Sequence, residues 1–113
     1  AVVIGYEGNH TSGHFLVLLD PKKLDVVSRG RVNVYWRSFV EVKADSVYAV
    51  VQDNGFFLGK FDGKLEQVSR SKEKIDKDSF ISFFGDYIYV NSHEKKILVF
   101  QASDLSLVDT IQP

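Results

Sequence analysis

The feature that most limits the folds open to this chain is its repetition. Two windows align without a gap at an offset of 41 residues: SRGRVNVYWRSFVEVKADSVYA, beginning at Ser28, and SRSKEKIDKDSFISFFGDYIYV, beginning at Ser69. Ser28-Arg29 meets Ser69-Arg70, Ser38-Phe39 meets Ser79-Phe80, Asp45 meets Asp86 and Tyr48 meets Tyr89. The apolar pairs Val40/Ile81, Val42/Phe83 and Val47/Ile88 keep the same register. A period of this length marks a modular array, in which one supersecondary unit is copied and each copy buries its apolar surface against the next.

Each unit reads as a series of short strands. Phe39–Val42 and Phe80–Phe83 are the expected first strands, followed by Val47–Val51 and Tyr87–Val90. Third strands are expected at Phe56–Phe61 and Ile97–Phe100, and fourth strands at Leu65–Val68 and Leu105–Val108. All are rich in Val, Ile, Phe and Tyr, and turn residues such as Asp53-Asn54-Gly55 and Asp62-Gly63 separate them. Helical spacing is nowhere sustained over three turns. The expected class is all-β, built from antiparallel four-stranded meanders in a single domain, with repeats at about 1–35, 36–76 and 77–113. The first copy opens directly at its second strand, Val2–Tyr6, so about eleven strands are expected, grouped three, four and four. Four antiparallel strands in about 40 residues match one propeller blade.

The stretch GDYIYVNSHEKKILVFQASDLSLVDTI, Gly85 to Ile111, resembles the YVTN-type β-propeller repeat: a "YV" strand, a strand ending in a polar residue, a small turn, then an "L-x-x-V-x-T-I" strand. Related copies are VYAVVQDNGFFLGKFDGKLEQV and, incompletely, AVVIGYE…HFLVLLDPKKLDVV. The resemblance implies a partial β-propeller of three blades, the first lacking a strand. It implies no particular activity, because propellers host many functions. Closed propellers have typically four to eight blades, and an open array leaves exposed edges. The expected completions are the remainder of a larger propeller or a homo-oligomer, for example two half-rings. A β-trefoil-like fold is the alternative. The chain begins at Ala1 and contains no methionine, which reads as a processed or excised chain.

Composition narrows the function classes. With 14 basic and 15 acidic residues the net charge is −1, giving no electrostatic basis for nucleic-acid binding. Without cysteine there are no disulfides, thiol chemistry or Cys-based metal sites, and either redox compartment is compatible. No apolar run approaches the roughly 20 residues of a membrane-spanning helix. No nucleophile elbow, phosphate loop or dinucleotide fingerprint occurs, and the acids are scattered through turns rather than paired. The expectation is a non-catalytic protein-recognition or scaffold domain without a cofactor. Its partner is expected to be a protein, with carbohydrate a weaker option. The alternative is part of a larger propeller enzyme, or a metal-binding domain.

Two stretches carry the candidate contacts. In EGNHTSGH, Glu7 to His14, the turn between the strands of the first copy is longer than its counterparts by about five residues. It reads as a solvated or partner-contacting loop presenting Asn9, His10 and His14. As a metal site it would use Glu7, His10 and His14, a suitable ligand chemistry, but a glycine-flanked loop does not pre-set an i, i+4 pair as a helix does. His93 falls in the equivalent turn of the third copy. The second stretch is Tyr35-Trp36-Arg37, which aligns with Asp76-Lys77-Asp78 and contains the only tryptophan. Exposed Trp, Tyr and Arg suit a binding hot spot, and packing between copies is the competing role for Trp36.

Overall fold

The computed structural model of the chain describes residues 1–9 and 12–113, with backbone alone at 6–9 and 12. Among the described residues there are eleven strands and no helix: β1 (Val2–Asn9), β2 (Ser12–Leu19), β3 (Val26–Arg29), β4 (Glu41–Lys43), β5 (Ser46–Gln52), β6 (Phe56–Phe61), β7 (Gln67–Lys74), β8 (Ser82–Phe84), β9 (Tyr87–Asn91), β10 (Ile97–Gln101) and β11 (Leu107–Ile111). They form three antiparallel sheets, β1-β2-β3, β4-β5-β6-β7 and β8-β9-β10-β11. In each, chain neighbours are sheet neighbours, so every sheet is a meander.

Alternation of side chains along a strand sorts them onto two faces. In β5, Val47, Ala49 and Val51 take one face and Tyr48 and Val50 the other, and all five are at most 4% exposed. A strand buried on both faces belongs to a sheet covered on both faces. Val47, Ala49, Val51 and Phe61 form one core with Leu16, Val34 and Leu65, and Val2, Ile4 and Leu18 of the first sheet pack against it. Tyr48, Val50 and Leu58 form a second core with Ile81, just ahead of β8, and with Ile88, Val90, Leu98 and Phe100 of the third sheet. The second sheet is therefore stacked between the other two, and each buried large apolar side chain contributes about 1.5–3 kcal/mol. Gly59 makes room in the first core: a Cβ there would lie 2.5 Å from Val51 Cγ2.

The connecting segments stitch the sheets together. Between the first and second sheets, Val34 N donates to His14 O (2.9 Å), Tyr35 N to Val50 O (2.8 Å) and Gln52 N to Asn33 O (3.0 Å). Between the second and third, Ile75 N donates to Phe56 O and Asp76 N to Asn91 O, both at 2.8 Å. Side chains cross the same gap: Tyr48 Oη donates to Ala102 O (3.1 Å), Lys60 Nζ to Ser103 O (2.8 Å) and Lys43 Nζ to Gly85 O (3.1 Å). Burial pushes the Tyr48 phenol above its ordinary pKa, against a smaller lowering from Ser46, so Tyr48 remains a protonated donor.

Serine hydroxyls close the gaps that short strands leave. Ser38 Oγ accepts from Val50 N and donates to Phe39 O, each at 2.7 Å. Ser79 Oγ accepts from Asn91 N (2.8 Å) and donates to Phe80 O (2.7 Å), the same pair of bonds 41 residues on. Ser71 Oγ accepts from Leu58 N (3.0 Å) at the bulge between β6 and β7 and donates to Glu73 O (2.8 Å). Each supplies a backbone amide with an acceptor that the ladder lacks.

The strand limits depart from expectation for identifiable reasons. β4 and β8 begin at Glu41 and Ser82, two residues later than the sequence suggests, because Ser38 and Ser79 hydroxyls take the Val50 and Asn91 amides. The fourth strands begin at Gln67 and Leu107. Leu65 and Leu105 instead occupy turns at φ 66° and 60°, with amides bonded to Asp62 O and Gln101 O and side chains buried. β7 runs on through Lys72, Glu73 and Lys74.

Two predictions follow from this architecture. Ser79→Ala leaves the Asn91 amide without its acceptor and should lower stability by about 1–3 kcal/mol, read as a shift of the urea midpoint at unchanged slope. An exposed control, Val68→Thr, should stay within about 0.5 kcal/mol of the parent. The second concerns acid. Asp20 Oδ1 accepts from the amides of Lys22 (2.8 Å) and Lys23 (3.1 Å), and Asp104 Oδ1 from Ser106 N (3.0 Å) and Oγ (2.7 Å). These bonds, Lys23 first for Asp20 and the Ser106 amide first for Asp104, hold both carboxyls below the ordinary 3.8. A depressed folded-state pKa adds stability above the unfolded value, which is lost as pH falls through the folded one. The melting temperature should therefore fall below about pH 4, and the Asp20→Asn/Asp104→Asn double variant should show a shallower acid limb by calorimetry.

Candidate functional site

A turn from Tyr35 to Ser38 follows the first connector, and backbone bonds fix both its ends. Tyr35 N donates to Val50 O (2.8 Å) and Ser38 N to Tyr35 O (3.0 Å). The same turn recurs from Asp76 to Ser79, where Asp76 N donates to Asn91 O (2.8 Å) and Ser79 N to Asp76 O (3.1 Å). Trp36 and Arg37 are the central residues of the first turn, Lys77 and Asp78 those of the second.

The two turns lie at one end of the stack and their side chains meet there. Tyr35, 7% exposed, is the buried base, and Trp36, 43% exposed, stands above it. The Trp36 ring meets Tyr35 edge-on at 6.3 Å between centroids, and Phe56 meets Tyr35 edge-on at 5.4 Å. His93, in the turn after β9, continues the row at 6.3 Å from Phe56. Cations flank the rings: Arg37 Cζ lies 5.1 Å from the Trp36 centroid and Lys77 Nζ 5.7 Å from that of Tyr35. Lys77 also donates to Asp78 Oδ2 at 3.2 Å. That bond, then the Asp78 charge and the field of Tyr35, hold the ammonium pKa above its usual value. Aromatic faces beside guanidinium and ammonium groups suit a surface that grips rings and carboxylates of another molecule.

The structure thus groups Tyr35, Trp36 and Arg37, and adds Phe56, His93 and Lys77. The sequence set His93 in a turn of the third copy equivalent to the opening stretch, while Phe56 read only as the start of a strand. Its position at the opening of a third strand, level with the turns, was the available signal. His14 is 6% exposed in β2. Its amide donates to Asn33 Oδ1 (3.1 Å), and Asn33 Nδ2 donates to Gln52 O (3.1 Å). Through the Val34 bond, His14 is tied to the connector that leads into the Trp36 turn. It lines an open cavity of about 550 Å³ with Arg29, Arg31 and Asn33, which does not include the aromatic row.

The opening stretch is not the long loop that its glycines suggest. Glu7, Gly8 and Asn9 lie in β1, and Ser12, Gly13 and His14 lie in β2, with Asn9 opposite Ser12 and an irregularity after Tyr6. His10 and Thr11 lie outside the described residues, as do the side chains of Glu7 and Asn9, so the contact role of His10 and Asn9 and the Glu7, His10, His14 metal set lie there too. Among the described residues no three His, Cys, Asp or Glu side chains gather in a way that could hold a metal ion, and no helix is long and apolar enough to cross a membrane.

No family model matches the chain, and no curated protein matches it.

Tyr35 and Trp36 should separate cleanly on substitution. Tyr35→Ala removes a buried ring from the second core and should cost about 3 kcal/mol. Trp36→Ala should cost under about 1 kcal/mol, leaving the melting temperature nearly unchanged. A fall of several degrees for Trp36→Ala would assign that ring to packing.

Proposed function

We propose that the three stacked sheets are consecutive blades of a propeller-like array, and that the chain is a non-catalytic recognition or scaffold domain. Its binding end is the one carrying the Tyr35–Ser38 and Asp76–Ser79 turns, with a protein as partner. The meander order of each sheet and the face-to-face cores support the array. Among the described residues, strand pairing stays within each sheet apart from the Val34↔Val51 bridge, which speaks against the closed barrel of a β-trefoil. The inner edges also suit blades: Phe39 and Phe80, just ahead of β4 and β8, stack at 4.5 Å with an interplanar angle of 27° while remaining 41% and 65% exposed.

The observation that carries the binding role is the exposed Trp36 with Arg37 over its face, set on a buried tyrosine and pinned by backbone bonds. Such a group loses little freedom when it is covered, which is the property of a hot spot. Immobilised chain should retain a protein partner that a folded Trp36→Ala/Arg37→Ala variant releases. Equal retention by both, with matching circular dichroism, would remove this end of the molecule as the contact surface.

A further inference from the structure

The outermost faces of the stack are built like the faces that meet inside it. On the second sheet, Tyr48, Val50 and Leu58 face the third and are 4%, 0% and 0% exposed. The positions 41 residues on are Tyr89, Asn91 and Val99. They alternate with the core residues Ile88, Val90 and Leu98, and therefore lie on the face of the third sheet turned away from the second. Register puts Ile97 opposite Asn91 and Ile111, and Tyr87 opposite Phe84 and Gln101, on that same face. Phe84 is 75% exposed there, and Tyr87 and Ile111 are each 38% exposed.

The first sheet presents the opposite kind of face. Val3 pairs with Val17 and Gly5 with Phe15, on the side away from the core residues Ile4 and Leu16. The matching side of the second sheet pairs Ala49 with Gly59 and Val51 with Phe57, and the first sheet covers it. The likeness extends to the flanking cations: Arg29 lies 3.7 Å from the Phe15 centroid, as Arg70 lies 4.7 Å from that of Phe57. Asp109, opposite Val99, places a negative charge on the third-sheet face, and Arg29 places a positive one beside Phe15 of the first.

We propose that these two faces dock on each other between two copies of this chain, the third sheet of each seated on the first sheet of its partner. The inference rests on the propeller-like reading of the array. Each copy then offers one face of each kind, and two identical contacts close the body without an uncovered sheet. Inside the chain, Tyr48 Oη reaches Ala102 O of the next sheet. Tyr89 is its counterpart for the turn after β2 of the second copy.

Light scattering coupled to size exclusion tests this on the intact chain at micromolar concentration. The expected mass is twice the 12.8 kDa of the chain. Phe84→Asp and Val3→Asp change exposed side chains on opposite faces, and each alone should weaken self-association at least about tenfold. In an equimolar mixture one contact joins the two undamaged faces while the other carries both aspartates, so a mixed dimer held by the intact contact should form at concentrations where neither variant dimerises alone. A monomeric parent, or a dimer whose mixed variants fail to recover, overturns the proposal. Amide exchange at Val34, Tyr35, Ile75 and Asp76 reports the internal stack separately. Protection there in a monomer overturns only the self-association, whereas rapid exchange overturns the stacked array itself.

Discussion

A sheet of three or four short strands has two faces, and this chain survives by covering both faces of the middle one. Five consecutive residues of β5, Val47 to Val51, are buried in alternation by different neighbours. A slip of one residue would exchange the two sets, sending Tyr48 toward the first sheet and Ala49 toward the third. Two cores therefore hold a single register. The cross-sheet donors Tyr48 and Lys60 come from paired positions on β5 and β6, so the interval between the second and third sheets is fixed by the strands that bury the core.

The connectors turn that stacking into a rigid end. A connector that only spanned two sheets would leave its own amides exposed to a dry interior. Here the amides of Val34, Tyr35, Ile75 and Asp76 pair with strands of the adjoining sheets, and Ser38 and Ser79 close the following turns. Trp36 and Arg37 thus project from a backbone anchored at both ends, and Tyr35 beneath them is part of the core. The candidate surface is inherited from the packing rather than added to it.

Much of this was legible because the repeat gave two readings of each position. The limits of β6 follow directly from the apolar run bounded by Gly55 and Asp62, and the grouping of strands follows from the offset. What escaped were cases where a side chain does the work of backbone. Nothing in the pattern says that Ser38 and Ser79 take an amide each, so Phe39 and Phe80 read as strand residues. Leu65 and Leu105 look like strand openings by hydrophobicity, yet they anchor turns in a left-handed conformation that bulky residues seldom adopt. The opening stretch misled in the other direction: its glycines suggest a loop, while Asn9 and Ser12 still pair. At the candidate site the Tyr35-Trp36-Arg37 stretch stood out against its offset partners Asp76-Lys77-Asp78 and by the one tryptophan. Its extension through Phe56 to His93 required knowing which strand ends share one level.

The repeat also separates what the fold needs from what it leaves open. The turns Tyr35–Ser38 and Asp76–Ser79 have the same hydrogen bonds at both ends, yet one carries Trp36-Arg37 and the other Lys77-Asp78. The backbone therefore accepts an aromatic–cation pair or an ion pair at these two positions without altering the turn. A bulky indole at 43% exposure is not demanded by a site whose counterpart is satisfied by lysine. Its edge-on contact with Tyr35 is one use for that ring, and on the proposed reading the contact surface is the other. The same comparison applied to whole faces gives Tyr89 and Val99 the chemistry of Tyr48 and Leu58, although inside the chain only the latter pair meets another sheet.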